Sequence, residues 1–324
     1  MAKPLILVSN DDGITSGGIR KLVELMSDLG EVVVVAPDSP LSGMGHAITI
    51  GDTLRLSETD IFSGIQAYKC SGTPADCVKI AKHHVLKDRK ADLVVSGINH
   101  GSNTSISVLY SGTMSAAIEG SLEGLPSIGF SLCDYSSKAD FSHVDEHVKQ
   151  IARNVIEKGL TKGVALNVNI PPRRNENIKG IKVCRQANAT WQEEFDQRYD
   201  PNGRKYFWMS GNFVNHDKGE DNDEWAIANN YISVVPCQYD MTAHHARINR
   251  TPVCPPKISL PSMKRFSDPN RIEYQLALNP DLLKLSVKVG HSSLVTSYDP
   301  LSSKLASPYF TPKKRVLISS KGIR

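Results

Sequence analysis

Two adjacent aspartates near the start of the sequence have the residue type and spacing to bind a divalent cation. Asp11 and Asp12 directly follow an apolar run at 5–8 and precede Gly13. Carboxylate oxygens are hard ligands of the kind that magnesium, manganese and calcium prefer. Asp-Asp-Gly is also an ordinary turn sequence, because aspartate caps helices and glycine accepts a positive φ. The pair by itself therefore leaves both a cation site and a plain turn open.

Two later segments supply neutral oxygen donors. Ser39 and Ser42 lie in a loop rich in Gly, Pro and Ser. Asn99 and Asn103 lie at 97–112, where a composition rich in Gly, Ser and Asn predicts a long structureless loop, and such loops are usually functional. No His or Cys cluster accompanies them in the sequence, so magnesium, manganese or calcium is favoured over zinc. A cation held by two carboxylates and neutral donors keeps coordination positions open for a water and a phosphate oxygen. Metal-assisted phosphoester hydrolysis needs this arrangement.

A third segment has the residue types of a phosphate site. Ser111, Gly112 and Thr113 stand at the start of a helix predicted over 113–120. Backbone N–H groups at a helix start, two hydroxyls and a glycine that permits close approach could together hold a phosphate. Ser-Gly-Thr is equally an ordinary helix cap, so this segment also has a purely structural interpretation.

Buried strands that alternate with helices must position these residues. Apolar runs predict strands buried on both faces, and periodic or capped segments between them predict helices. The predicted strands lie at 5–8, 31–36, 91–96, 126–131, 164–170 and 231–236, and the predicted helices at 19–26, 113–120 and 146–158. A further helix is predicted from Pro74 onward, with Thr73 as its cap. This order predicts an α/β fold with a doubly wound, mostly parallel sheet. Because ligands bind beyond the carboxyl ends of parallel strands, the loops after these strands should meet at one crevice.

The composition is that of a globular protein. The chain has 324 residues, of which 40% are apolar, which is enough for a substantial core. The sequence shows neither a secretory signal nor a stretch long enough to span a membrane. Six cysteines without CxxC spacing are typical of thiols in a reducing compartment. We therefore expect a soluble cytoplasmic protein without a membrane partner.

The character of the sequence changes near residue 246. We predict a main domain over 1–246 and a basic, Pro- and Ser-rich extension of unknown structure over 247–324, in which 276–289 could hold one helix or strand. The extension carries a net charge of +10 and the rest of the chain about −6. Scattered positive charge is typical of a solvated surface, so nucleic acid is not an expected partner.

An arm over 186–230 contains all three tryptophans of the sequence among acidic and polar residues. Asn202-Gly203 within it indicates a hairpin turn. Such an arm is more typical of a protein contact or a pocket wall than of catalysis.

Five motifs, taken in order along the chain, resemble the survival protein SurE family of nucleotidases. They are SNDDGI at 9–14, VVAPDSPLSGMGHAIT at 34–49, GTPADCV at 72–78, DLVVSGINHGSN at 92–103 and YSGTMSAAIEG at 110–120. The arm and the segment DMTAH at 240–244 look similar to the family as well. The resemblance therefore covers residues 4 to about 246.

The resemblance implies a divalent-metal phosphatase with one Mg²⁺ or Mn²⁺ per subunit. Its substrates would be nucleoside 5′-monophosphates, with 3′-monophosphates and short polyphosphate accepted by some members. The fold it implies is a three-layer α/β/α, Rossmann-like domain with a mostly parallel sheet and a protruding β-hairpin arm. It further implies a homodimer or homotetramer with exchanged carboxy-terminal elements.

The resemblance also implies roles for individual residues. The cation ligands would be Asp11, Asp12, Ser42 and Asn99. Substrate and phosphate contacts would come from Ser42, Gly43, Asn99, Ser111, Gly112 and Thr113. Asp240 and His244 match residues near the family's site, and we take Asp11, His244 and Asp240 as the candidate catalytic residues. Our own hypothesis is that Asp11 accepts the proton of the attacking water and that His244 protonates the leaving ribose oxygen.

The sequence departs from the family after DMTAH, because members usually end soon after that segment. This departure puts the usual exchanged terminus and the oligomer in question. Two other functions stay open. One is a phosphatase with an aspartyl nucleophile, although its two aspartates are normally separated by one residue and here they are adjacent. The other is a non-catalytic nucleotide- or protein-binding module that uses the basic extension to recruit a partner.

Overall fold

The computed structural model describes residues 3–136, 138–244, 284–290 and 293–299. The chain forms two compact units, Met1–Thr242 and Ala243–Arg324. Within the described part of the chain, no helix is both long enough and apolar enough to cross a membrane.

A nine-stranded mixed sheet forms the centre of the first unit. The strands of the unit, including a separate hairpin of β9 and β10, are β1 (Leu5–Ser9), β2 (Glu31–Pro37), β3 (Leu56–Glu58), β4 (Gln66–Cys70), β5 (Leu93–His100), β6 (Ser127–Leu132), β7 (Val164–Ile170), β8 (Ile181–Val183), β9 (Ala189–Tyr199), β10 (Lys205–Asn215) and β11 (Ile232–Gln238). Their order across the sheet is β3-β4-β2-β1-β5-β6-β7-β11-β8. β1 pairs in parallel with β2 on one side and with β5 on the other. The strand order reverses between β1 and β5, which makes this the topological switch point where open α/β sheets bind ligands.

One strand on the far side of the sheet runs against its neighbour. β11 pairs antiparallel with β7, so that Gln238 at the end of β11 lies opposite Val164 at the start of β7. β7 itself is parallel to β6, and β6 is parallel to β5. The carboxyl end of β11 therefore lies at the opposite edge of the sheet from the carboxyl ends of β1 and β5.

Helices cover both faces of the sheet. They are α1 (Gly17–Ser27), α2 (Pro74–Ile80), α3 (Gly112–Leu122), α4 (Asp145–Lys158) and α5 (Asp223–Ala228), with a π-helical turn at Ala81–Leu86 and a 3₁₀ turn at Ser105–Tyr110. The predicted cap at Thr73 is confirmed. Its side chain accepts from the backbone N–H of Asp76, and the Asp76 carboxylate accepts from the backbone N–H of Thr73. This reciprocal capping box fixes the start of α2.

β1 is buried on both faces, as its apolar run predicts. Ile6 and Val8 face a core that includes α1 and α4, whereas Leu5 and Leu7 face a second core that includes α2. Alternate residues of a strand point to opposite faces, so a strand between two helical layers must be apolar at every position. The predicted three-layer α/β/α architecture with a mostly parallel sheet is confirmed.

The segment at 97–112 is more ordered than the loop that its composition predicts. β5 continues past Ser96 to His100, with a shift in its pairing to β6 between Ser96 and Asn99. Residues 105–110 then form the 3₁₀ turn that leads into α3. The prediction of a structureless loop was wrong because hydrogen bonds to β6 compensate for the weak strand propensity of Gly97 and Asn99.

The predicted hairpin arm is present. β9 and β10 pair antiparallel over their full length, and Gly203 lies in the connecting turn with a φ of +75°. The base of the hairpin is tied to the body by Ser105, whose side-chain oxygen donates to the carbonyls of Ala187 and Ala189 at 2.8 and 3.0 Å. The carboxylate of Asp223 accepts from the backbone N–H groups of Ser105 and Ala187, both at 2.9 Å.

Beyond residue 244, the described part of the second unit is an antiparallel hairpin, β12 (Lys284–Gly290) with β13 (Ser293–Asp299). The prediction of one helix or strand within 276–289 falls partly on β12. The part of it before residue 284 lies outside the described residues.

We expect Gly18→Ala to destabilise the chain by about 1–3 kcal/mol, because overpacking a filled site has a cost of that order. A Cβ at Gly18 would overlap the carbonyl oxygen of Ile98 on β5, which is backbone and cannot rotate away. Gly17→Ala is the matched control, since its Cβ would make only an ordinary contact at 3.9 Å with the Phe141 ring. Thermal unfolding of both variants measures the difference, and equal unfolding temperatures would contradict the close approach of α1 to β5.

Candidate active site

Asp11 lies just after β1 at the switch point and contacts the start of α3. Its side chain is 3% exposed, and Oδ1 accepts a hydrogen bond from the Thr113 hydroxyl at 2.5 Å. Burial raises the pKa of the Asp11 carboxyl to about 6, although the bond from Thr113 lowers it. The Asp11 carbonyl also accepts from the backbone N–H of Leu41 at 2.8 Å, which brings the loop after β2 against this residue.

The amino end of α3 meets the Asp11 side chain without any space between them. A Cβ at Gly112 would lie 2.6 Å from the Asp11 Cβ and 2.9 Å from Asp11 Oδ2. Ser111 caps the helix by accepting from the backbone N–H of Met114 at 3.0 Å. The structure therefore brings Ser111, Gly112 and Thr113 to Asp11, as the strand-end argument predicts. The N–H groups and positive dipole end of α3 face the carboxylate and any anion beside it.

Asp12 points to a different element from Asp11. Its Oδ2 lies 3.2 Å from the backbone nitrogen of His100 and 3.1 Å from His100 Nδ1, at the end of β5. The hydrogen bond to Asp12 raises the pKa of His100. Sequence reasoning did not select His100, although its place directly after Asn99 at a strand end was a usable signal.

Asn99 reaches the same edge of the sheet because β5 continues past its shift in pairing. Its Nδ2 donates to the carbonyl of Gly101 at 2.9 Å, which leaves Oδ1 as the oxygen available to a ligand. Asn103, also predicted as a donor, is held in a structural network instead. Its Nδ2 donates to the Ser131 hydroxyl at 2.8 Å, and its backbone N–H donates to Asn169 Oδ1 at 2.8 Å.

The loop that carries Ser42 and Gly43 is hydrogen-bonded both to Asp11 and to Tyr110, just before the start of α3. Besides the bond from Leu41, Gly45 N–H donates to the Tyr110 carbonyl at 3.1 Å. Ser42 and Gly43 are exposed, and Gly43 has a φ of +77° in open space. The structure therefore places both predicted residues in a loop held at two points beside the site. Ser39, the alternative donor, instead donates to Asp38 at 3.0 Å.

Glu119 fixes the far end of this loop, and sequence reasoning did not select it. Its carboxylate is 2% exposed and lies 2.9 Å from His46 Nε2 and 2.6 Å from Lys79 Nζ. Burial would raise the pKa of Glu119, but the bonds from His46 and Lys79 outweigh burial and hold that pKa below its ordinary value. The loop is thus linked to both α3 and α2 through a single carboxylate.

We expect Glu119→Gln to destabilise the chain by about 1–3 kcal/mol at neutral pH, because two charge-assisted bonds are weakened while Lys79 keeps part of its hydration. A lowered folded-state pKa stabilises the fold above the ordinary value of 4.5, and that stabilisation is lost as the pH falls through the lowered pKa. The difference between variant and wild type should therefore shrink in acid. Unfolding temperatures from neutral pH down to about pH 3 test this.

Glu24→Gln is the control for this comparison, because it removes an exposed pair with Lys21 that we expect to contribute about 0–1 kcal/mol. Equal unfolding temperatures for Glu119→Gln and wild type at every pH would contradict the anchoring role.

The structure does not bring Asp240 to this edge of the sheet. Asp240 follows β11, whose carboxyl end lies at the opposite edge of the sheet, and its Oδ1 accepts from the backbone N–H of Thr242 at 2.9 Å. His244 belongs to the second unit, which is described only by itself. Asp240 is therefore not among the residues that the fold gathers around Asp11.

The donor set gathered around Asp11 fits a hard divalent cation. The described residues contain no group of three or more His, Cys, Asp and Glu that could hold a metal, so a cation would need neutral oxygens as well as the two carboxylates. Asn99 Oδ1 and the Ser42 hydroxyl have that chemistry. Asn10 Oδ1, next to Asp11 in the chain, is buried without a hydrogen-bond donor among the described residues. An unpaired buried acceptor is costly, and a positive charge within its reach would stabilise it.

Comparison with known proteins gives consistent matches. A family model described as "Survival protein SurE" matches residues 6–193. A protein named 5′-nucleotidase SurE from Cytophaga hutchinsonii is 71% identical over 252 residues, which are 77% of this chain and 97% of the relative. A protein of the same name from Chlorobaculum tepidum is 43% identical over 245 residues, covering 76% of this chain and 92% of the relative. The crystal structure of the SurE protein from Aquifex aeolicus matches with a TM-score of 0.66 and 39% identity, covering 76% of this chain and 98% of that chain.

Proposed function

This chain belongs to the survival protein SurE family, and on that premise we propose that it is a 5′-nucleotidase that releases phosphate from nucleoside 5′-monophosphates. The curated relatives carry this activity in their name, 5′-nucleotidase SurE. The observation that carries the proposal is the contact between the Asp11 carboxylate, at the end of β1, and the amino end of α3. A carboxylate that can hold a cation stands there directly beside N–H groups that can hold a phosphate.

We propose that Asp11, Asp12, Ser42 and Asn99 hold one Mg²⁺ or Mn²⁺. When bound, such a cation supplies charge neutralisation and a water of lowered pKa for attack on phosphorus. The phosphate would be bound and oriented by Ser111, Gly112 and Thr113 at the start of α3 and by Ser42 and Gly43 in the facing loop.

Asp11 is the residue best suited to accept a proton from the attacking water. Its carboxylate lies against the amino end of α3, where the phosphate would be held, so a water that attacks this phosphate would be within its reach. The Thr113 hydroxyl fixes the orientation of its carboxylate. His244 as the acid that protonates the leaving ribose oxygen stays a prediction. A role for Asp240 loses support, because it follows a strand whose carboxyl end lies at the opposite edge of the sheet.

The spacing of the two aspartates supports a cation site over an aspartyl nucleophile. Asp11 contacts Thr113 on α3, whereas Asp12 contacts His100 on β5. A phosphatase with an aspartyl nucleophile normally has one residue between its two aspartates, and here the two are adjacent.

Phosphate release from a panel of 5′- and 3′-nucleoside monophosphates and short polyphosphate tests the proposed function. We expect release with Mn²⁺ or Mg²⁺, none with a chelator, and recovery when the cation is restored. Circular dichroism with the chelator present serves as the control for folding. A folded protein that releases phosphate from no substrate with any of these cations would refute the nucleotidase assignment and favour a binding module.

We also propose that the chain forms a homodimer or homotetramer through the β9–β10 hairpin. Phe195, Phe207 and Trp208 are each more than half exposed on this hairpin, and such an exposed apolar surface is typical of a protein contact. Light scattering of the wild type and of Trp208→Ser tests this proposal. A wild-type chain with the mass of a monomer would refute it.

A further inference from the structure

A cavity of about 360 Å³ lies at the base of the β9–β10 hairpin, outside the set of residues assigned to the cation and the phosphate. Tyr135, Trp191 and Phe213 supply aromatic walls, and Ser102 and Glu224 supply polar groups. The rings of Trp191 and Phe213 meet edge to face with centroids 5.3 Å apart. Aromatic walls with a few polar groups are typical of sites for small planar ligands.

The cavity begins close to the proposed phosphate site. His100, whose nitrogens contact Asp12, is two residues before Ser102, which lines the cavity. The backbone between them extends by at most about 7 Å. Gly101 between them packs against the Tyr135 ring. A ligand with its phosphate beside Asp12 would therefore have the Tyr135 side of the cavity within its reach.

In the polar wall of the cavity, the donor and the acceptor of each hydrogen bond can be assigned. The Thr104 hydroxyl donates to Glu224 Oε1, and Ser102 Oγ lies 2.6 Å from Thr104 Oγ1. Because the Thr104 hydrogen is committed to Glu224, Ser102 must donate to Thr104. Among the described residues no donor reaches Glu224 Oε2. Burial raises the pKa of Glu224, so an N–H donor from a ligand would relieve a costly desolvation.

We propose that this cavity binds the nucleobase of the substrate and favours guanine. The inference rests on the proposed nucleotidase function. The base stacks on the aromatic walls, and Glu224 accepts from the N–H groups on its Watson–Crick edge. Guanine presents two neighbouring donors there, N1–H and the 2-amino group. Adenine presents an acceptor, N1, which would face the carboxylate unfavourably.

Steady-state kinetics with GMP, AMP and ribose 5-phosphate separate the contribution of the base from the chemistry. For the wild type we expect kcat/KM for GMP to exceed that for AMP by about 10-fold, the value of one charge-assisted bond. Glu224→Gln should raise the KM for GMP by about 10-fold and remove the preference, because its amide can donate to adenine N1. Phe213→Ala should raise the KM for both nucleotides by about 10-fold through lost stacking.

Neither variant should change kcat or KM for ribose 5-phosphate, which has no base. Gln192→Ala is the matched control, because it lies next to Trp191 on the same strand and outside the cavity. Its kinetics should equal those of the wild type with all three substrates. Equal kcat/KM for GMP and AMP in the wild type, or unchanged KM for the nucleotides in both cavity variants, would overturn the proposal.

Calorimetric titration of the full chain with guanosine, which has no phosphate, tests the cavity independently of turnover. We expect guanosine to bind, and Glu224→Gln to weaken binding by about 10-fold. Absence of guanosine binding would overturn the cavity assignment. If no phosphomonoester, including ribose 5-phosphate, were hydrolysed, the nucleotidase function would fail while the titration still decided the cavity.

Discussion

Asp12→Asn is expected to lower kcat/KM for nucleoside monophosphates by about 1,000-fold, which corresponds to about 4 kcal/mol of transition-state stabilisation. The substitution removes one of the two negative charges in the proposed cation site but keeps the size of the side chain. The asparagine oxygen can still accept from the backbone N–H of His100, so the fold should be preserved. Phosphate release at increasing Mn²⁺ concentration measures the loss. Excess cation should recover part of the activity, because the substitution mainly weakens cation binding.

Asp11→Asn provides the comparison for that experiment. It removes a cation ligand and also the proposed base, so excess Mn²⁺ should not recover its activity. Unfolding temperatures of both variants control for folding. Near-normal turnover by Asp12→Asn without added cation would remove Asp12 from the site, and equal recovery of both variants would contradict a separate role for Asp11 as the base.

Gly112→Ala is expected to lower kcat/KM by about 100-fold or more, since a displacement of the order of 1 Å in a catalytic group has an effect of that size. The new Cβ would lie 2.6 Å from the Asp11 Cβ, so either the carboxylate or the start of α3 must move. The free energy of unfolding should fall by about 1–3 kcal/mol, as it does for overpacking elsewhere in a core. The chain should therefore fold with a misplaced base and phosphate site.

Gly51→Ala is the matched control for this variant. Gly51 has an ordinary φ, and no atom lies within 4 Å of the position its Cβ would take. Activity and unfolding temperature should both remain at wild-type values in the control. Full activity in Gly112→Ala would mean that α3 and Asp11 can separate without consequence, which contradicts the proposed arrangement.

The elements around the site could be predicted because their signals are local. The apolar run at 5–8, the capping pattern at Thr73 and Pro74 and the turn at Asn202-Gly203 each specify a conformation through nearby residues. The meeting of Asp11 with Ser111, Gly112 and Thr113 follows from a further rule, since ligand-binding loops lie at the carboxyl ends of parallel strands. Local sequence patterns, together with this rule, were therefore sufficient to predict these elements and the contact between Asp11 and the start of α3.

What sequence reasoning missed depends on contacts between distant residues. In the sequence Glu119 is one of several polar residues of a predicted helix. Only its contacts with His46 and Lys79 identify it as the anchor of the loop that carries Ser42 and Gly43. The continuation of β5 to His100 depends on pairing with β6. The antiparallel direction of β11 cannot be read from its apolar residues, because parallel and antiparallel buried strands have the same pattern.

Amide hydrogen exchange should be faster in the β9–β10 hairpin than in the body to which it is attached. Within β9 and β10, nearly every side chain from Thr190 to Met209 is exposed, so little apolar contact opposes local opening of the two strands. Below them, the buried carboxylate of Asp223 holds the N–H groups of Ser105 and Ala187. In a chain that has not assembled through the hairpin, the boundary between fast and slow exchange should therefore fall between Ala187 and Thr190. The arm should therefore open locally while the body of the domain stays folded.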